Sequence, residues 1–182
     1  MEKTLRKNAI KLTKETAFIL LTVVCAVVLP QVLHILGDVF GLGGTLGQIF
    51  LPMYLPILII GFYRGPISGA AAGLLAPLVS FYLTGMPQAV ILPFITIELI
   101  VTGLFAGAFS KVSLPAVVRV GLVQLSAKAV RLITFAIYLY FANGIITPSK
   151  LFAGILISVP GVLLQLVIVS LLVVRKEKNA NE

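Results

Sequence analysis

The chain has 182 residues, of which 59% are apolar and 11% charged, and its mean hydropathy is +1.13. An ordinary soluble domain is roughly 45–50% apolar and about 25% charged, so a water-soluble globule is excluded, and the length allows several bilayer crossings at about 20 residues each. The formal charge of +8 is concentrated at the ends: Lys3, Arg6, Lys7, Lys11 and Lys14 precede the first apolar run, and Arg175, Lys176 and Lys178 follow the last. Eight of the fourteen cations therefore lie in the tails, which is a membrane-topology pattern and not the basic face of a nucleic-acid reader.

Residues 1–16 read as a basic cytoplasmic tail, 17–174 as a single six-helix membrane domain and 175–182 as a second cytoplasmic tail. Ala17 to Leu36 covers about 30 Å as a helix and forms span 1. A basic start before an apolar run also suits a leader, but Val24 stands before Cys25 where a lipobox needs a small residue, so a retained helix is expected. Cys25 is the single cysteine, which leaves no disulfide framework or Cys-based metal site and gives it an expected packing role.

Gly37 to Gln48 is glycine-rich and lacks Lys and Arg, so it is expected to be a flexible outer loop long enough to act as a lid. Span 2, Leu46 to Phe62, contains Pro52 and Pro56 and should be bent or broken. Unwound backbone at membrane depth is tolerated only against protein or a water-lined cavity, so span 2 points to a site unless the prolines merely kink it. Arg64-Gly65-Pro66 is a basic inner turn before span 3, Ile67 to Thr84, and Gly85 to Gln88 is an uncharged outer turn. Span 4, Ala89 to Phe109, carries Glu98. Span 5, Leu114 to Phe141, carries Arg119, Lys128 and Arg131, and span 6 runs from Leu151 to Val174. With Arg64 and Lys111 inside and Lys150 alone outside, the expected orientation is N-in and C-in, which requires an even number of crossings.

Gly69 and Gly73 in span 3 and Gly103 and Gly107 in span 4 have the small-xxx-small spacing that lets helices approach closely. Both pairs lie in the inner half, so the bundle is expected to be tight there and to open outward as a solute pocket. An Asp, Lys or Arg at a helix centre costs about 2.5–3.5 kcal/mol on the insertion scale, so the intramembrane charges should face inward. Gln124, Lys128 and Arg131 share one face of span 5 at i, i+4, i+7, continued by Phe135 and Tyr138, and Glu98 lies at an overlapping depth. Two readings stay open: Glu98 neutralises these cations to order the bundle, or the three groups line a pocket in which one cation is left for an acceptor-rich substrate. Arg119, nearer the inner end, is expected to snorkel. Other outer-half candidates are His34, Tyr54, Phe81, Tyr82, Gln88 and Ser158, while Gln165 suits an interhelical hydrogen bond. No catalytic constellation, metal-ligand spacing or Walker A loop is present in the sequence, so neither enzyme chemistry nor a cofactor is expected, and uphill transport would draw on another subunit's energy.

The stretch FLPMYLPILIIGFYRGPISGAAAGLLAPLVSFYLTGMP, Phe50 to Pro87, followed by IELIVTGLFAG, Ile97 to Gly107, resembles the substrate-binding S component of energy-coupling factor vitamin transporters. The resemblance extends over nearly the whole chain in size, span number and tail placement. It implies a binder of a vitamin or related micronutrient in a bacterial plasma membrane, docked on a membrane coupling subunit with two cytoplasmic ATPases. The substrate would sit near the outer face under the loop between spans 1 and 2, drawn from Glu98, Lys128, Arg131, Gln124, Tyr54, Tyr82, His34, Gln88 and Tyr138. Thr22 and Ala26 stand where the family often has an Ala-x-x-x-Ala docking pair, and Gly69 and Gly73 offer a second docking stripe. Alternatives of other classes are a secondary carrier using Glu98 as a proton site, and a structural subunit of a membrane complex.

Overall fold

A computed structural model of the chain describes residues 2–141 and 148–182. The described residues form eight helices and no strand: α1 (Glu2–Val39), α2 (Thr45–Phe50), α3 (Tyr54–Arg64), α4 (Pro66–Thr84), α5 (Leu92–Phe109), α6 (Ala116–Phe141), α7 (Pro148–Ile157) and α8 (Val159–Asn181). Six stretches are long and apolar enough to cross a membrane: Leu12–Val39, Thr45–Arg64, Pro66–Thr84, Leu92–Phe109, Ala116–Tyr140 and Val159–Ala180. Large apolar side chains such as Leu21, Val24, Leu125, Ile133 and Leu171 are exposed along them, which a bilayer solvates and water does not. The chain is an all-α, multi-pass membrane protein.

The second span is broken, and the local chemistry explains where. Pro52 cannot donate to the ladder and Leu51 turns left-handed at φ 47°, so α2 stops at Phe50 and α3 restarts at Tyr54. A bulky residue with positive φ is strained. The structure compensates from α8: Gln165 Nε2 donates to the carbonyls of Phe50 and Leu51, each at 3.0 Å. Gly161, one turn away, lets α8 come against Ile49 and Phe50, where a Cβ would overlap their backbone.

Helix α5 is the centre of the bundle, in contact with α3, α4 and α6, while α1 covers α3 and α4, and α8 covers α3 and α6. Val23, Ala26 and Val27 of α1 join one core cluster with Ile57, Ala72, Ala76 and Leu99; Val169 and Val173 of α8 join another with Leu58, Phe62 and Val120. At the α4–α5 crossing a Cβ on Gly69 would collide with the Gly103 carbonyl, and one on Gly103 with the Gly69 carbonyl. One on Gly107 would strike Pro66, and one on Gly61 would come within 2.6 Å of Ala106 Cβ. Here the absence of side chains brings helices into backbone contact.

Both ends of the chain lie at the same end of the bundle, tied by polar contacts. Arg64 bridges to Glu15 at 2.7 Å and lies over Phe18, and Ser68 donates to the same carboxylate at 3.2 Å. Tyr63 donates to the Leu172 carbonyl at 2.9 Å and Lys176 to that of Phe62 at 2.8 Å. Gly65, at φ 99°, supplies the backbone turn that joins α3 to α4 here.

Several sequence expectations change. The glycine-rich stretch 37–48 is not a free lid: α1 continues through Val39, α2 takes up Thr45–Phe50, and Leu42 and Gly43 N–H groups return to the Gly37 carbonyl, leaving 40–44 as a short connection. Span 4 begins at Leu92, because Pro87 and the turns after it hold 85–91 out of the helix. The sixth span starts at Val159, with α7 separated from α8 at Ser158 and Pro160 in the first turn of α8. Both basic tails continue the terminal helices. Cys25 is exposed on the outer face of α1, not packed. Arg119 does not snorkel: it is 2% exposed, donates to the Ser110 carbonyl at 3.1 Å and is paired with Glu177 on α8. Helix α6 is described as far as Phe141, the expected end of span 5; the connection that follows falls on 142–147, outside the described residues, as does the Lys150 side chain.

Candidate functional site

The charges expected to share a depth meet in the interior. Helices α5 and α6 are consecutive spans running in opposite directions, and Phe94 faces Phe135, Glu98 faces Lys128 and Arg131, and Ser110 faces Arg119 along a single register. Glu98 is fully buried. Its Oε1 accepts from Lys128 Nζ at 2.6 Å and its Oε2 from Arg131 Nη1 at 3.2 Å. One carboxylate thus receives both cations, each through its own oxygen, and the three-residue cluster keeps one positive charge. The spacing i, i+3 on α6 makes this possible, since it places the two basic side chains on one face, one turn apart.

Tyr54, the first residue of α3, completes the cluster from the broken span. Lys128 Nζ lies 4.7 Å from the centre of its ring, a cation–π geometry. Its buried hydroxyl lies beside Glu98 and Arg131, close enough to interact with both but outside good hydrogen-bond geometry to either. Gln124, one turn below Lys128 on α6, is buried with both amide atoms unpartnered, and Arg131 Nε is also buried without a partner. Buried polar atoms are nearly always paired, and an unpaired one costs about 1–3 kcal/mol. On the side away from the tails the cluster is followed by three rings, with Phe94 edge-on to Tyr138 at 5.4 Å and 6.1 Å from Phe135.

The remaining candidates are dispersed. Tyr82 is 89% exposed on α4 and Gln88 is exposed, its carbonyl receiving the Ile91 and Leu92 N–H groups at the start of α5. His34 is half-buried, its ring set against Gly44 and Gly47 where the 40–44 connection returns. Ser158 is buried and donates to the Ile155 carbonyl at 2.8 Å, and Phe81 is half-buried on α4. Tyr138 belongs to the rings beside the cluster. The structure therefore brings Glu98, Lys128, Arg131, Tyr54 and, one turn away, Gln124 into one place, and leaves Tyr82, Gln88 and His34 outside it.

Of the residues expected to dock a partner, Ala26, Gly69 and Gly73 are packed inside the bundle. Ala26 is fully buried under α3 and α4, and Gly69 and Gly73 lie against the backbones of Gly103 and Leu99. This chain's own helices occupy those surfaces. Thr22 is half-buried and donates back to the Phe18 carbonyl at 2.8 Å. A cavity of about 440 Å³ lies at the end carrying the tails, lined by Tyr63, Leu172, Arg175, Lys176, Asn179 and Ala180, while at the Glu98 cluster the Lys128 and Arg131 side chains are each 16% exposed.

Sequence reasoning missed the roles of Glu15 and Glu177 as partners of Arg64 and Arg119, because both acids sit in segments read as solvated tails. The support that Gln165 and Gly161 give to the broken span had a signal, a lone amide and a glycine four residues apart in an apolar helix. No group of three or more His, Cys, Asp or Glu side chains capable of holding a metal occurs among the described residues. No family model, curated protein or solved structure matches the chain.

Proposed function

We propose that this membrane protein captures a small polar solute in the interior of its bundle, as the S component of an energy-coupling factor importer in a bacterial plasma membrane. The observation that carries the reading is the buried polar centre: Glu98, Lys128 and Arg131 joined by Tyr54 and Gln124, with hydrogen-bonding atoms left unmatched. Charged groups inside a membrane are costly and mark solute or ion paths more often than they mark scaffolding. The broken second span beside them is a feature of transporter binding sites, where unwound backbone borders the solute. The solute class is a vitamin or related micronutrient, entering from the side of the 40–44 and 85–91 connections, with both tails in the cytoplasm. Delivery requires a membrane coupling subunit and two ATPases, since the chain carries no nucleotide-binding loop.

Separating binding from accumulation tests the reading. Purified protein should carry a co-purifying small molecule identifiable by native mass spectrometry, and liposomes containing it alone should not accumulate that molecule. Accumulation should begin when coupling subunit and ATPases are added and stop when ATP hydrolysis is blocked. Uphill uptake by the lone protein under an imposed proton or sodium gradient would instead establish a secondary carrier.

A further inference from the structure

Three independent features of the Glu98 centre have the same sign. The first is net charge: one carboxylate faces two cations, and both cations already touch it, so no internal rearrangement of these three groups removes the remaining positive charge. Enclosing that charge among apolar helices is unfavourable unless a counter-charge joins it. The second is the unmatched donors. Arg131 Nε, the Tyr54 hydroxyl and the Gln124 amide nitrogen are buried without partners. An arginine presents five N–H groups in a planar fork suited to a carboxylate, and the contact with Glu98 engages only Nη1.

The third is the half-helix. Helix α3 restarts at Tyr54 inside the second span and has no side-chain cap at Met53; the Tyr54 N–H returns to the Leu51 carbonyl at 3.0 Å and Pro56 has none, which leaves the Leu55 N–H and the positive end of the helix dipole at this place. Half-helix N-termini at membrane depth are oriented to anionic substrate groups in transporters built this way. Tyr54 is both the first residue of α3 and a buried member of the cluster whose hydroxyl has no hydrogen bond of good geometry, so the helix start and the charge cluster are one site. Beyond it, Phe94, Phe135 and Tyr138 provide apolar, edge-to-face ring surface next to the charges.

We infer that the solute of this site is an organic monoanion with a ring-bearing body, its acidic group held by Arg131, the Tyr54 hydroxyl and the start of α3, and its ring laid against Phe94, Phe135 and Tyr138. Glu98 sets the valence. It cancels one of two cations and so leaves room for a single negative charge. This inference rests on the solute-binding reading above and adds the chemical class of the solute.

The test compares charge at constant shape. Purified protein is heated in detergent with benzoate, cyclohexanecarboxylate or indoleacetate, each against its uncharged primary amide, with acetate as the ringless acid and phthalate as a dianion. The ring acids should raise the unfolding midpoint and their amides and acetate should not. Arg131→Gln removes the surplus charge and should weaken the acids by about 10- to 100-fold, the loss of one hydrogen bond to a charged group. Glu98→Gln adds a charge and should bring phthalate above benzoate. Stabilisation by the amides but not the acids would overturn the monoanion class while leaving solute binding intact. An equal effect of acetate would overturn the ring-bearing body. Stabilisation by none of these compounds would overturn this inference, and the absence of any co-purifying molecule would overturn the solute-binding reading itself.

Discussion

Gln165 on α8 donates its amide to the Leu51 carbonyl at 3.0 Å, at the residue where the second span turns left-handed. The same Nε2 reaches the Phe50 carbonyl, so one side chain from a distant helix takes up two backbone acceptors that the broken ladder leaves free. Gln165→Leu should remove both bonds without changing the size of the side chain much. The expected cost is about 1–3 kcal/mol, read as a lower unfolding midpoint. It should be accompanied by weaker solute binding, because Tyr54 begins the half-helix that these bonds position.

The glycines make a graded prediction. At Gly103 an added Cβ would meet the Gly69 carbonyl, and the two backbones would have to part. At Gly121 it would find only Leu166 Cδ1, at 3.8 Å. Gly103→Ala should therefore destabilise by about 1–3 kcal/mol, an overpacking cost. Gly121→Ala should be neutral or stabilising by up to about 1 kcal/mol through helix propensity. Equal behaviour of the two variants in thermal unfolding would refute backbone contact between α4 and α5.

The ion cluster predicts an asymmetry between its members. Glu98→Gln leaves two buried cations facing each other, whereas Lys128→Met leaves the neutral pair Glu98–Arg131. Removing the shared carboxylate should cost about 3–5 kcal/mol, and removing Lys128 clearly less. The double variant should recover much of the stability lost in Glu98→Gln, a coupling measured by a double-mutant cycle. If the cluster binds solute, that recovery of stability will come without recovery of affinity.

Topology is tested with single cysteines on a Cys25→Ala background. Leu42 and Gln88 are exposed in the connections at one end of the bundle, and Lys111 and Lys178 are exposed at the end that carries the tails. Cysteines at Leu42 and Gln88 should react with an impermeant maleimide from outside intact cells, and those at Lys111 and Lys178 only after permeabilisation. External labelling at Lys178 would invert or dismantle the proposed orientation.

Hydropathy alone determined that this chain is a bundle of six apolar spans, because each crossing must satisfy its own backbone and show lipid an apolar surface, and both demands are local. Helix periodicity placed Gln124, Lys128 and Arg131 on one face, and the cost of burying charge directed Glu98 toward them, so the centre of the candidate site was legible too. Proline chemistry located the break in span 2. Only the tertiary structure decided what each polar group meets. It gave both cations to the two oxygens of a single carboxylate, drew Tyr54 into that cluster and left Tyr82 on the surface. It also turned the tail residues Glu15 and Glu177 into partners of Arg64 and Arg119. The glycine stripes show the same division. Their spacing announces that some helix comes close, but a surface without side chains accepts any close neighbour. That Gly69 lies on Gly103, and not on another protein, was settled by how the six spans turn around α5.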